Sequence, residues 1–128
     1  MSEFFDLPLE EHGIILRRIA PLETATNVPR LVIHHSPEGY EWGYGGSGPA
    51  ELALNILEYL LRREGYQGET IRCFEGHCFR LAWSLHQDFK RDLIADCDRS
   101  EAHIPLETAQ NWLETYRLAA EPLRGPEP

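Results

Sequence analysis

Four glycines fall within six positions of this chain, in the run Trp42-Gly43-Tyr44-Gly45-Gly46-Ser47-Gly48-Pro49. Glycine loses more backbone freedom on folding than any other residue. A run this dense belongs where the backbone must pass close to something. An apolar stretch follows at once, with Ala53, Ile56, Leu57, Leu60 and Leu61 on one stripe at helical spacing and Leu52 and Leu54 widening it. The pattern predicts a central helix whose mouth is held against a tight glycine loop. Pro49 suits the first helical position, where no N–H is required, with Ser47 or Gly48 as the cap. Gly65 suits the end of the helix.

The remaining elements arrange themselves around that helix. The β-branched run Ile14–Ile19 predicts a first strand stopped by Pro21, and residues 21–29 read as a loop. Leu31–His34 predicts a second strand. The turn Ser36-Pro37-Glu38-Gly39 then leads to a short third strand at Tyr40–Trp42. Residues 66–77 fit a strand or a loop equally. A second helix is predicted from about His77 to Asp96, with Cys78, Leu81, Ala82, Leu85, Phe89 and Leu93 on its apolar face. Residues 97–103 read as a polar turn. Pro105 opens a third helix carrying Ala109, Trp112, Leu113 and Tyr116 at helical spacing. The expected class is α+β: a small antiparallel N-terminal sheet packed against about three helices. Residues 1–12 form an acidic N-terminal segment, 13–120 a single domain, and 121–128 a Pro-rich flexible tail.

At 128 residues, such a domain buries roughly two-thirds of its unfolded surface and needs no staple. A net charge of −9 repels phosphate backbones, so nucleic acid is not the expected partner. The acidic start has no signal-peptide pattern, and no apolar run reaches the length of a membrane span. Cys73, Cys78 and Cys97 are an odd number and are expected as reduced thiols, consistent with a cytoplasmic chain.

Residues 43–48 match G-x-G-x-x-G, the loop that brings a pyrophosphate to a helix N-terminus. The preceding Tyr40-Glu41-Trp42 is not a buried parallel strand, and the chain cannot supply several βαβ units. Two readings survive: a tight turn that packs the helix against the sheet, and an anion site at the helix mouth, with Trp42 and Tyr44 as core anchors in the first or stacking faces in the second. Ser47 lacks the second glycine of a nucleophile elbow, because Pro49 stands there. Cys73, His77 and Cys78 cluster without a zinc knuckle, so no metal is expected. His34 and His35 point to opposite faces of a strand, and one could enter a pocket.

Residues 35–54 closely resemble the signature of a family of small proteins of unknown function from bacteria, their phages and plasmids, S-P-x-G-F-x-W-G-Y-G-G-S-G-P-x-x-L-A-L. Tyr40 stands in the place of its Phe. His86-Gln87-Asp88-Phe89-Lys90 and the stretch Leu106–Leu113 resemble further family elements, so the likeness spans roughly 30–115. It implies no activity. The expected function is a non-enzymatic binding domain without a cofactor. An anionic small molecule or nucleotide would be held by Trp42, Gly43, Tyr44, Gly45, Gly46, Ser47 and Gly48, with His35 nearby. The alternatives are a protein–protein module modulating a host protein, and a hydrolase using His34 or His35.

Overall fold

A computed structural model describes residues 6–34 and 39–120. It confirms the α+β class. The expected turn at 36–38, His35 and the tail at 121–128 lie outside the described residues.

The elements run α1 (Leu9–His12), β1 (Ile14–Ala20), β2 (Glu23–Thr26), α2 (Ser47–Arg63), β3 (Thr70–Arg72), β4 (His77–Phe79), α3 (Arg80–Phe89), β5 (Glu101–Ile104) and α4 (Leu106–Ala120). A π-helical turn, Lys90–Ile94, extends α3. The sheet is antiparallel in the order β2-β1-β5, and β3-β4 is a separate hairpin. Alternation along β1 sends Ile14 and Leu16 into the core and Arg17 to solvent.

Two strands stand where loops were expected. Glu23–Thr26 pairs with β1 through a tight turn at Pro21-Leu22, and Glu101–Ile104 pairs with the other edge of β1. Both are four residues long and polar, so they carry no periodic signal of their own. The predicted strands at Leu31–His34 and Tyr40–Trp42 do not form. Residues 31–34 contribute one isolated bridge, Ile33 to Glu75. The second helix starts at Arg80, not His77, because His77–Phe79 pairs back on Thr70–Arg72. Cys78 is fully buried all the same, from β4.

α2 is the centre of the molecule, as its apolar breadth predicts, and Leu52, Ala53, Leu54, Ile56, Leu57 and Leu61 have no exposure. Its end is as expected. Gly65 takes φ +78°, and the N–H groups of Gly65 and Tyr66 return to the carbonyls of Arg62 and Leu61. Its start differs: Gly46 is the N-cap and Ser47 the first helical residue, with no side-chain cap.

Glu51, Asn55 and Glu58 form a polar stripe on this buried helix. Asn55 Oδ1 accepts the N–H groups of Leu31 (2.7 Å) and Val32 (3.0 Å), and Nδ2 donates to the Val32 carbonyl at 3.1 Å. The Glu51 carboxylate accepts the N–H of His34 at 3.1 Å and a guanidinium N–H of Arg30 at 3.2 Å. Glu58 accepts the N–H of Phe79 at 3.1 Å. In this largely apolar segment Leu31, Val32 and His34 hydrogen-bond to a helix side, and Ile33 alone bridges to Glu75. Burial raises the Glu58 carboxyl above the usual carboxylate range, against the opposing pull of the Phe79 N–H and Arg62.

Asn55→Leu keeps the size of the side chain and strands the main chain of Leu31 and Val32. The expected loss is about 1–3 kcal/mol for each buried N–H left unsatisfied, read as a lowered urea midpoint.

Candidate functional site

The glycine run divides into a buried half and an exposed half. Trp42 is fully buried, and its Nε1–H donates to the Asp98 carbonyl at 3.0 Å. The Arg18 guanidinium lies 5.4 Å from the centre of its ring. Arg18 also makes a two-pronged contact with Glu41, Nη1 to Oε2 at 3.0 Å and Nη2 to Oε1 at 2.5 Å. Its Nε donates to the Arg99 carbonyl at 2.8 Å and Nη1 to the Pro21 carbonyl at 3.1 Å. One arginine from β1 thus ties the β1–β2 turn, the glycine run and the segment before β5 into one joint.

The hydrogen bond to Arg18 lowers the Glu41 carboxyl below its ordinary value, more than partial burial raises it, and Arg18 is raised in return. The Trp42 N–H and the charge of Arg99 lower Glu41 further.

The glycines serve this joint individually. Gly43 takes φ +84° and donates to the Ile94 carbonyl at 3.1 Å. That carbonyl ends the π-helical turn, in which the Ala95 N–H reaches back to Lys90. A Cβ at Gly43 would stand 2.5 Å from Arg99 Cγ and 3.1 Å from the Cys97 carbonyl. A Cβ at Gly48 would stand 2.6 Å from Glu41 Cβ, and at Gly46 2.6 Å from the Tyr44 ring. Nothing lies within 4 Å of a Cβ at Gly45.

Tyr44, Gly45 and Ser47 are exposed at the mouth of α2. The Arg99 guanidinium lies 5.5 Å from the Tyr44 ring centre. Among the described residues Arg99 has no acidic partner within ion-pair distance, in contrast to Arg18 and Arg30. Arg99 carries no motif; it lies in a stretch that reads as a polar turn, so the sequence offers no signal for it. Of the two aromatic rings expected as stacking faces, only Tyr44 is open to a ligand.

The other expected residues lie apart from this rim. The His34 ring sits edge-on to Trp83, 4.5 Å between centres, and Trp83 lies over His86 at 4.6 Å. The acid beside His34, Glu51, is engaged by the His34 main chain and by Arg30. Cys73 and Cys78 are buried free thiols. Burial and the neighbouring Cys73 push the Cys78 thiol up, which makes it a poor nucleophile. Among the described residues no group of three or more His, Cys, Asp or Glu is placed to hold a metal ion. No described helix is long and apolar enough to cross a membrane.

Fold and site define a small α+β domain with a locked glycine joint and one exposed aromatic–cation rim. The chain belongs to a family of unknown function, DUF6166, whose model matches residues 17–115. No curated protein and no solved structure matches it significantly.

Gly43→Ala places a side chain in left-handed backbone at a cost of about 1–2 kcal/mol before any clash, whereas Gly45→Ala and Ser47→Ala change stability by less than about 0.5 kcal/mol. Urea midpoints of the three variants check this ordering. A pH series tests the joint. Because the folded Glu41 value lies below the unfolded one, its contribution is complete above the unfolded carboxylate range. It disappears as pH falls through the folded value. Glu41→Gln is therefore expected to be less stable than the parent at neutral pH, with the gap closing in acid.

Proposed function

We propose that this domain is a binding module without catalysis of its own, taking an anionic small molecule at the rim of Tyr44, Gly45, Gly46 and Ser47 with Arg99. The observation that carries the reading is the Arg99 guanidinium beside the exposed Tyr44 ring, without a carboxylate partner among the described residues. In a chain of net charge −9, a cation without an ion-pair contact among the described residues, at a surface aromatic, favours a ligand with one negative and one planar group. The α2 N-terminus adds positive potential on the same side. The bare surface at Gly45 leaves room for a ligand to approach the main chain. Trp42, Gly43 and Gly48 support this rim from behind and do not touch the ligand. A nucleotide has the right pair of features: a base to lie on Tyr44 and a phosphate to meet Arg99.

Calorimetric titration with a panel of nucleotides, cyclic nucleotides and inorganic pyrophosphate tests the reading. At least one nucleotide is expected to bind. A charged hydrogen bond is worth about 1.5–3 kcal/mol, so Arg99→Gln weakens that binding by roughly ten- to a hundredfold. Tyr44→Ala weakens it as well, and the melting temperature of both variants stays near that of the parent. Absence of binding across the panel by folded protein overturns the reading.

A further inference from the structure

The β3–β4 hairpin keeps one register throughout, and that register sets which main-chain groups point out of it. The Arg80 N–H donates to the Glu69 carbonyl at 2.8 Å, and the Cys73 N–H to the Gly76 carbonyl at 2.9 Å. Between these bonded pairs Ile71 exchanges bonds with Cys78, while Thr70 and Arg72 stand at the alternate positions, opposite Phe79 and His77. The N–H and C=O groups of those four residues therefore point away from the hairpin. On the β4 side α2 takes one group of each: Glu58 accepts the Phe79 N–H at 3.1 Å, and Arg62 Nη2 donates to the His77 carbonyl at 3.4 Å. On the β3 side no described residue does the same for Thr70 or Arg72, and both are exposed.

The two faces of this open edge differ in chemistry. Ile71 lies between the outward residues, on the core face with Cys78, and is only half buried. On the other face Arg72 lies beside His77. Arg72 makes no ion pair with a described residue, in contrast to Arg62 and Arg80, which pair with Glu58 and Glu69. The main chain of Glu75 turns to Ile33, on the β4 side of the hairpin. The sequence of β3, Thr-Ile-Arg, thus carries one charge, and it is positive. At physiological salt, charges more than about 8 Å away are largely screened. The charge that a neighbouring strand meets here is that of Arg72, not the net charge of the chain.

We propose that the β3 edge recognises an extended, acidic peptide segment of a partner protein, which adds to the hairpin as a third strand. Its main chain pairs with the outward groups of Thr70 and Arg72. An Asp or Glu opposite Arg72 forms an ion pair with it, and the adjacent residue, on the other face, is apolar and covers the open part of Ile71. Main-chain pairing supplies affinity, and the alternation of acid and apolar residue supplies selectivity. A third strand also suits a two-stranded hairpin, which is the least stable form of sheet. The shortness of β3 and its charge limit indiscriminate pairing. The site involves none of the residues of the Tyr44 rim and stands or falls separately from it.

Amide hydrogen exchange by NMR tests the edge first. In the free protein the Thr70 and Arg72 amides are expected to exchange fast, while Ile71 and Cys73 are protected. A panel of short peptides alternating Val and Thr, each with one Asp, is then added. At about ten times the dissociation constant, a binding peptide is expected to slow Thr70 and Arg72 exchange roughly tenfold and to shift those two amide signals. Peptides methylated on the pairing nitrogens are expected to fail. Peptides with Arg in place of Asp are expected to bind about fivefold more weakly. Arg72→Glu, which leaves the main-chain groups intact, is expected to reverse that preference. Four outcomes overturn the proposal: protection of Thr70 and Arg72 in the free protein, binding that leaves both amides unchanged, equal binding of Asp and Arg peptides, or no binding by any panel member. Protection that grows with protein concentration alone also overturns it, in favour of a second copy of this chain at the edge.

Discussion

The structure depends on a helix that is buried on nearly every side yet must hydrogen-bond to its neighbours. Leu31, Val32 and His34 pass across α2 with their N–H groups turned toward it, and no strand is available to receive them. Asn55 and Glu51 take that role. An unsatisfied N–H in this position would cost as much as a good hydrogen bond contributes, so the two polar side chains fix where the segment can lie. Glu58 does the same for the start of α3 through Phe79. The stripe therefore sets two chain paths at once, that of residues 31–34 and that of the chain entering α3. A wholly apolar α2 would bury as much surface without specifying either path.

The glycine run solves a different problem, that of bringing three separate segments against the beginning of α2. Trp42 fills the space between them and is anchored through Asp98. Gly43 and Gly48 remove the side chains that would hold Arg99 and Glu41 away. Arg18 and Glu41 then join charges that are only slightly exposed, with enough hydrogen bonds to offset their desolvation. Most of a motif that looks like a ligand loop is thus a packing device. What remains outside is the rim proposed for recognition: Tyr44, Gly45, Ser47 and Arg99.

What the sequence reveals follows the range of the interaction concerned. β1, the apolar body of α2, its Gly65 terminus and the Pro105 start of α4 rest on local patterns and stand where the pattern puts them, while α2 begins two residues before Pro49. β2 and β5 have the sequences Glu-Thr-Ala-Thr and Glu-Ala-His-Ile, too short and polar to alternate visibly, and only pairing with β1 makes them strands. Leu31–His34 has the composition of a strand, but its partner is a pair of helix side chains, which no local rule anticipates. The site was legible in the same proportion. Its glycines and Tyr44 stand out, whereas Arg99 arrives from a distant turn.

The order of the sheet has a consequence for how the molecule is made. The central strand lies near the N-terminus, and one of its two neighbours is among the last segments of the domain; Arg18 meets Arg99 across 81 positions. Closing so long a loop is entropically unfavourable until many other contacts exist. During synthesis β1 can pair with β2 at once, but its second edge, and with it the seat of Trp42, stays empty until residues 98–104 have emerged. The second edge of the sheet can therefore close only after α2 and α3 have been made, and α4 follows β5 in the chain. A chain cut short before β5 would lose that strand together with α4, which brings Ala109, Trp112 and Leu113 to the core.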